Sequence, residues 1–161
     1  MTRRLYTLLL WLALPVVMIR LGWRALSSPG YRGRISERFG GGAPDDRCCD
    51  LWIHAVSVGE VKAATPLVQR LLKEKKHLNI IITTMTPTGA QQVVDTFGKE
   101  VRHRFAPYDY PFAIRRFINQ FSPRLLILME TEIWPNMIRI CHQQGIAVAM
   151  ANVRLSARSA R

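Results

Sequence analysis

Short apolar runs that alternate with longer amphipathic stretches restrict the fold of this chain more than any other feature. The apolar runs of strand length lie at 51–57, 79–84, 124–129 and 146–151, with a weaker one at 101–106. They are short enough to be strands buried on both faces of a sheet. The stretches typical of helices lie at 60–75, 88–97, 110–120 and 134–144. Strand and helix in alternation predict a parallel sheet with helices on both faces.

The charge of the chain indicates an anionic partner. Lys and Arg number 23 against 11 Asp and Glu, which gives a net charge of +12. Nucleic acid, acidic lipid and phosphorylated ligands all fit such an excess. Residues 1–38 contain seven Arg and one Glu, so half of the net charge surrounds an apolar segment. This distribution favours a membrane over nucleic acid, for which no recognised motif is present.

The apolar segment at 5–19 contains no charged residue and predicts a membrane anchor within residues 1–26. It is short for a full span, which needs about 17–25 apolar residues, and Pro15 lies inside it. A spanning helix and an interfacial helix therefore both remain open. A cleaved signal peptide fits less well, because Arg20-Leu-Gly-Trp-Arg24 follows where small residues are expected.

Residues 27–50 mix chain-breaking residues with arginines and predict a basic linker. One interpretation is a solvated linker with a short helix. The other is a basic collar in which Arg32, Arg34 and Arg38 contact phosphates of lipid or acceptor. Three cysteines, two of them adjacent, form neither a disulfide framework nor a zinc-spaced cluster, so a reducing cytoplasmic compartment fits best.

Polar side chains follow every predicted strand. Right-handed crossovers bring the carboxyl ends of parallel strands to one edge of the sheet, where ligands bind in open α/β folds. The strand-end segments are Ser57-Val-Gly-Glu60, Thr83-Thr-Met-Thr-Pro-Thr-Gly89, Pro107-Tyr-Asp109, Glu130-Thr-Glu-Ile-Trp-Pro-Asn136 and Asn152-Val-Arg-Leu-Ser156. We expect the site at this edge.

Acidic residues at two strand ends are the candidates for catalysis. Gly59 allows close approach of a ligand, and Glu60 lies in a first helical turn, where an ionised carboxylate is favoured. Glu60 is either a general base or only a complement to its helix end. Glu130 and Glu132 follow a very apolar strand, and acids at two strand ends indicate a polyhydroxyl or amine ligand. His54, within its strand, is expected to be a core histidine, or one that supports the site residues, with its hydrogen bonds satisfied, and not a ligand.

Hydroxyl groups at the end of the second strand are the candidates for ligand binding. Thr86 is placed to cap a helix that starts at Pro87, but capping accounts for only one of the four threonines in this segment. We therefore expect the hydroxyls of Thr84, Thr86 and Thr88 to contact phosphate or sugar. The glycine spacing matches neither a P-loop nor a dinucleotide fingerprint. Ser57 and Gly59 join this predicted substrate site, and Arg154 is a candidate for binding an anion.

These segments together resemble the N-terminal part of bacterial 3-deoxy-D-manno-octulosonic acid (Kdo) transferases. The matching pieces are the apolar anchor, Tyr31-Arg-Gly-Arg34, Glu37-Arg38, His54-Ala-Val-Ser-Val-Gly-Glu60, Thr83-Thr-Met-Thr-Pro-Thr-Gly89, Pro107-Tyr-Asp109, Met129-Glu-Thr-Glu-Ile-Trp-Pro-Asn136 and Asn152-Val-Arg-Leu-Ser-Ala-Arg-Ser159. Members of that family are more than twice as long and carry a second Rossmann-like domain for the sugar nucleotide. The resemblance therefore implies that residues 51–161 are an incomplete acceptor-binding domain, inactive by itself.

The resemblance implies an inverting GT-B glycosyltransferase of lipopolysaccharide biosynthesis that uses neither a metal nor another cofactor. It would transfer Kdo from CMP-Kdo to a lipid A precursor (lipid IVA) at the cytoplasmic side of the inner membrane. The general base of the family falls on Glu60, and either Glu130 or Glu132 assists near the reacting centre. The alternative is a non-catalytic, membrane-anchored α/β binding module.

Overall fold

A computed structural model describes residues 2–27, 34–42, 48–75 and 77–153. A long apolar helix, α1 (Arg3–Ser27), comes first and is followed by a 3-10 helix (Ile35–Phe39). Five strands and four helices then alternate: β1 (Leu51–His54), α2 (Val58–Glu74), β2 (Ile80–Thr84), α3 (Pro87–Phe97), β3 (Arg102–Phe105), α4 (Pro111–Phe121), β4 (Leu125–Met129), α5 (Pro135–Gln143) and β5 (Ala147–Ala151).

The strands form one parallel sheet in the order β3-β2-β1-β4-β5. Trp52 of the central strand lies opposite Ile81 of β2 and Leu126 of β4. This order confirms the predicted Rossmann-like α/β fold. The chain moves outward in one direction from β1 to β3 and then returns to the other side of β1, so β1 and β4 flank the switch point at which such sheets bind ligands.

Two apolar layers cover the sheet. α2 and α3 pack on the face that carries Ile53, whereas α4 and α5 pack on the face that carries Trp52. The Trp52 ring lies 4.4 Å from that of Phe117 in α4. Each large side chain buried in these layers contributes about 1.5–3 kcal/mol to stability, so burial on both faces is what holds the strands together.

Two predicted elements differ from the observed ones. β1 ends at His54 instead of at residue 57, because Ser57 already caps α2. The prediction that the last apolar run is buried on both faces is wrong, since three of the five side chains in β5 are exposed. β5 forms an edge of the sheet among the described residues, and small side chains such as Ala147 and Ala149 leave little apolar surface to cover.

Part of the predicted linker packs directly on the sheet. The Glu37 carboxylate accepts a hydrogen bond of 2.7 Å from the amide of Phe105, so it caps the exposed edge of β3. Gly40 then turns the chain at φ +73°, and a Cβ there would overlap the carbonyl oxygen of Ala113 in α4. The predicted domain boundaries stay predictions, and within them residues 34–42 are part of the packed body.

α1 lies along the same body instead of projecting from it. The Thr7 hydroxyl donates to Asn136 Oδ1 at 2.9 Å, and the Tyr110 hydroxyl donates to the carbonyl oxygen of Leu10 at 2.8 Å. Further along the helix, Leu21 is only 3% exposed. The other face of α1 remains exposed and is apolar: Leu5, Leu8, Leu9, Leu12, Val16, Ile19, Trp23 and Leu26. The helix is long and apolar enough to cross a membrane.

Candidate active site

Carboxylates from two neighbouring strands meet at the switch point. Glu60 follows β1, whereas Glu130 and Glu132 follow β4, which pairs with β1 through parallel register. Burial is the main cause that raises the pKa of Glu60, and the negative charges of Glu132 and Glu130 raise it further, so these two acids lie near Glu60. Their roles as site residues stay a prediction.

Glu60 is nearly buried and held at both carboxylate oxygens. Val56 N donates to Oε2 and the Ser57 hydroxyl donates to Oε1, both at 2.9 Å. Ser57 Oγ in turn accepts from the amide of Glu60 at 3.3 Å, which is one half of a capping box. The backbone amide that Glu60 binds is that of Val56, one residue before the N-cap. Burial raises the pKa of Glu60 above its ordinary value, although the hydrogen bonds from Val56 and Ser57 oppose that shift.

The first residue after β4 has an unusual backbone conformation. Glu130 has a left-handed φ of +57°, and its amide donates to the carbonyl oxygen of Ala151 at 2.8 Å. Such a conformation costs a residue with a side chain about 1–3 kcal/mol and is concentrated at functional sites. Glu132 Oε2 accepts a hydrogen bond of 2.8 Å from Trp134 Nε1, which fixes the direction of that carboxylate.

Buried polar side chains, linked by hydrogen bonds, lie against the Trp134 ring. The Trp134 ring meets the His54 ring edge to face, with centroids 4.6 Å apart. His54 Nδ1 lies 3.0 Å from the hydroxyl of Thr83, which accepts a hydrogen bond from Trp52 Nε1 at 2.9 Å. The Thr83 hydroxyl also lies 3.4 Å from the carbonyl oxygen of Ile53, to which it donates.

His54 is neutral and incompletely paired. Burial lowers its pKa to about 3, and Nε2 has no hydrogen-bond partner among the described residues. His54 is a core residue, as predicted, and its ring contacts the Trp134 ring that orients Glu132. The prediction that its hydrogen bonds are satisfied is wrong at Nε2.

The threonines after β2 divide into two groups. Thr84 is fully buried, with its hydroxyl 2.9 Å from His103 Nε2 and 3.2 Å from the carbonyl oxygen of Thr86. The prediction that Thr84 contacts substrate is thus corrected, because its hydroxyl is used inside the fold. Thr86 caps α3 as predicted and accepts from the amide of Gly89 at 3.1 Å, and Thr88 is exposed beside it.

Two of the predicted phosphate-binding arginines have partners within the fold. Arg34 forms an ion pair of 2.7 Å with Glu37 and also contacts His103. Arg38 is only 2% exposed, and its guanidinium donates to the carbonyl oxygen of Met85 at 3.0 Å. These contacts hold the 3-10 helix against the sheet edge, a role that the collar prediction did not include.

One predicted substrate position is exposed, and two predicted arginines lie outside the described residues. Gly59 is exposed in the first turn of α2, directly before Glu60. Arg32 and Arg154 lie outside the described residues. Among the residues that the structure describes, no group of three or more His, Cys, Asp or Glu side chains is placed to hold a metal ion.

Asp109 belongs to a strand-end segment that the sequence indicated, but its role in the fold was not predicted. Its Oδ1 accepts from Met137 N at 2.7 Å and its Oδ2 from Asn136 N at 3.0 Å, so it caps α5 from the segment between β3 and α4. Tyr6 of α1 also donates to this carboxylate. Burial raises the pKa of Asp109, and these three hydrogen bonds oppose the shift. No local pattern indicates a cap contributed from so far along the chain.

A parallel sheet in this order, with carboxylates gathered at its switch point, defines a Rossmann-like α/β domain of the type that forms the N-terminal part of glycosyltransferases. The family model described as 3-deoxy-D-manno-octulosonic-acid transferase matches residues 33–161. The chain belongs to this family, which confirms the resemblance seen in its motifs.

Named relatives agree with that assignment. The 3-deoxy-D-manno-octulosonic acid transferase of Haemophilus influenzae is 48% identical over 99% of this chain, which spans 38% of that protein. The 3-deoxy-D-manno-octulosonic acid transferase of Bordetella pertussis is 36% identical over 100% of this chain and 39% of that protein. A probable mitochondrial 3-deoxy-D-manno-octulosonic acid transferase of Arabidopsis thaliana is 35% identical over 97% of this chain and 35% of that protein. The chain therefore spans well under half the length of these relatives.

Proposed function

We propose that this chain is the acceptor-binding part of an enzyme that transfers Kdo from CMP-Kdo to a hydroxyl group of a lipid A precursor such as lipid IVA. The observation that carries the proposal is the nearly buried Glu60 carboxylate at the switch point, with Glu130 and Glu132 beside it. In a sheet of this type, that crevice is where a ligand binds. The donor nucleotide would occupy a second domain, in the GT-B arrangement, on the other side of the crevice.

Glu60 is proposed as the general base. An alcohol is too weak an acid for a carboxylate to deprotonate in advance, so the proton moves to Glu60 as the oxygen bonds to the anomeric carbon. The bond from that carbon to the CMP phosphate breaks at the same time, and its electron pair leaves with CMP. Attack opposite the leaving group inverts the anomeric centre. Burial, which raises the pKa of Glu60, strengthens it as a base.

Glu132 is the better candidate for the assisting acid. Its carboxylate is oriented by the Trp134 N–H, and its charge has a larger effect on the pKa of Glu60 than that of Glu130. A negative charge beside Glu60 favours the protonated form that the reaction produces. Glu130 is proposed to shape the crevice through its left-handed backbone.

α1 is proposed to lie in the membrane interface on the cytoplasmic side, without crossing the bilayer. One face of the helix contacts the domain from Tyr6 to Ala25, and the opposite face is exposed and apolar. A spanning position would separate these contacts and leave Asn136 without its partner Thr7. An in-plane helix keeps them and brings the crevice to the surface where a lipid acceptor resides.

The reaction class is tested with the full-length protein, CMP-Kdo and lipid IVA. The expected product is lipid IVA carrying Kdo with the inverted anomeric configuration, identified by mass spectrometry and NMR. Because the proposal assigns no step to a metal, a chelator leaves the rate unchanged. Absence of transfer in full-length protein that still binds lipid IVA would contradict the proposal.

That outcome would favour the alternative, a non-catalytic membrane-anchored binding module. One observation supports this alternative: both oxygens of Glu60 already take part in helix capping. A capping carboxylate needs no catalytic role to explain its position.

A further inference from the structure

A cationic cavity of about 250 Å³ lies between α1 and the end of β2. Arg20 and Arg24 of α1 and Arg38 of the 3-10 helix line it, together with Thr86 and Tyr108. No Asp or Glu occurs among the described residues that line the cavity. Neither the family match nor the carboxylate crevice accounts for three arginines gathered from two separate segments.

The wall of this cavity is rigid at Arg38. The side chain is almost fully buried, its guanidinium donates to the Met85 carbonyl, and it lies 4.4 Å from the Phe105 ring and 5.8 Å from the Tyr108 ring. A planar guanidinium held in this way has already lost its side-chain entropy. The positive charge of Arg38 at the wall of the cavity attracts an anionic group.

The size and charge of the cavity indicate which class of ligand fits it. Cavities for whole drug-sized ligands measure about 300–1,000 Å³, so this one suits a head group better than a nucleotide sugar. Several guanidinium groups that line one cavity favour a phosphate monoester as the ligand, because its oxygens accept paired hydrogen bonds. Thr86 also places the positive end of α3 at the wall, which favours the same charge.

A second cavity lies beside the first along α1. Val17 and Tyr108 also line this neighbouring cavity of about 190 Å³, whose wall includes Asp109 and Trp134. Trp134 donates a hydrogen bond to Glu132, one of the three carboxylates at the switch point. The Asp109 carboxyl disfavours an anionic group in the second cavity, so a phosphate is expected at the arginines and the uncharged part of the ligand toward Trp134.

We infer that Arg20, Arg24 and Arg38 bind a phosphate group of the acceptor glycolipid and so set the position of its reacting hydroxyl. This inference rests on the proposed function, which supplies a phosphorylated lipid acceptor. It assigns the phosphate to the cavity beside α1 instead of to the predicted collar as a whole.

The test compares binding of two glycolipids by full-length protein in neutral detergent micelles. The probes are lipid IVA and lipid IVA whose phosphates have been removed, both without CMP-Kdo, so that no transfer takes place. The variants are Arg20→Gln and Arg24→Gln, alone and combined, since both side chains are exposed and their loss leaves the core intact. Arg4→Gln is the matched control, because it removes an exposed charge from the same helix outside the cavity.

We expect the double variant to bind lipid IVA about tenfold more weakly or worse, since hydrogen bonds to charged groups are lost. Its affinity for the dephosphorylated lipid should equal that of the unmodified protein, and Arg4→Gln should match the unmodified protein on both. Equal losses on both lipids, or no loss on either, would overturn the inference.

A vesicle assay identifies the source of the phosphate. If the double variant loses binding to phosphatidylglycerol vesicles, relative to phosphatidylcholine, but keeps its affinity for lipid IVA, the cavity holds a bulk lipid and the acceptor assignment is overturned. Failure of the proposed function is a separate result: the unmodified protein would then form no Kdo product, whatever the ratio of the two binding constants.

Discussion

At the scale of single residues, the sequence identifies the acids but not what orients them. Ser57 and Glu60 have the spacing of a capping box, and Glu130 and Glu132 follow a strand, so their positions were predictable. The contact between Trp134 and His54 was not predictable, because the two residues are 80 positions apart and belong to different elements. Thr84 was misjudged for a similar reason, since His103 on another strand binds its hydroxyl.

Trp134→Phe tests whether the indole N–H matters for the proposed reaction. Phe keeps a ring on His54 but removes the hydrogen bond to Glu132. We expect the kcat of full-length protein to fall about tenfold, the effect of one lost hydrogen bond to a charged group. If the two residues act as a unit, Trp134→Phe has little further effect in a Glu132→Gln background. An undiminished loss in that background would contradict the assignment.

At the scale of elements, the number and order of strands and helices follow from periodicity, whereas their ends and surroundings do not. Capping decides where β1 stops, and position in the sheet decides that β5 is exposed. The packing of residues 34–42 depends on Glu37 meeting a strand edge and on Gly40 fitting against α4. Neither contact corresponds to a periodic pattern in the sequence, so neither could be predicted from it.

Gly40→Ala tests the docking of the 3-10 helix. The new Cβ would overlap the backbone of α4, at a φ that alanine rarely adopts, so we expect a loss of about 3 kcal/mol in the free energy of unfolding. Gly145→Ala is the matched control, because its φ is +70° but nothing lies within 4 Å of the added Cβ. The control should lose only about 1 kcal/mol. Equal losses in chemical denaturation would refute the packing argument.

Membrane depth tests the orientation proposed for α1. Spin labels at Leu12, Val16 and Ile19, in a Cys48→Ser background, would all lie at a similar depth of about 5–10 Å if the helix lies in the interface. A helix that crosses the bilayer would place its central label near the middle of a core about 30 Å thick. Electron paramagnetic resonance of the full-length protein in vesicles distinguishes the two. A steep change of depth along the helix would contradict the in-plane position.

At the scale of the whole molecule, parallel topology could be predicted from alternation alone, but the order of strands could not. The switch point follows from that order, and with it the meeting of Glu60 with Glu132. The docking of α1 depends on Asp109 and Asn136, more than 100 residues away from Tyr6 and Thr7. An apolar run predicts a membrane helix, but it does not predict which residues of the domain that helix contacts.

Two buried histidines make the stability of the fold dependent on pH. Burial lowers the pKa of His54 and of His103 to about 3, so neither binds a proton in the folded state near pH 5. Their unfolded forms do bind one below about pH 6.5. Stability is therefore greatest above that pH and falls with acidification, by about 1.4 kcal/mol per pH unit for each histidine.

The measurement is hydrogen exchange of the β1 amides between pH 6.5 and 5. Replacing His54 or His103 with Gln should each reduce the slope by about 1.4 kcal/mol per pH unit, whereas His142→Gln, at an exposed position, should not change it. Glu60 and Asp109, with raised pKa values, act with the opposite sign, which is why differences between variants are compared. An unchanged slope in both variants would show that the histidines are protonated in the fold.

The catalytic role of Glu60 is tested most directly by kcat in the Glu60→Gln variant of the full-length protein. Gln preserves the shape of the side chain and can still accept the hydrogen bond from Val56, but it cannot take the acceptor proton. We predict that kcat falls about 10²–10⁴-fold with lipid IVA binding unchanged, whereas Glu74→Gln, at the exposed end of the same helix, retains full activity. A Glu60→Gln enzyme that turns over at the unmodified rate would contradict the assignment of Glu60 as the base.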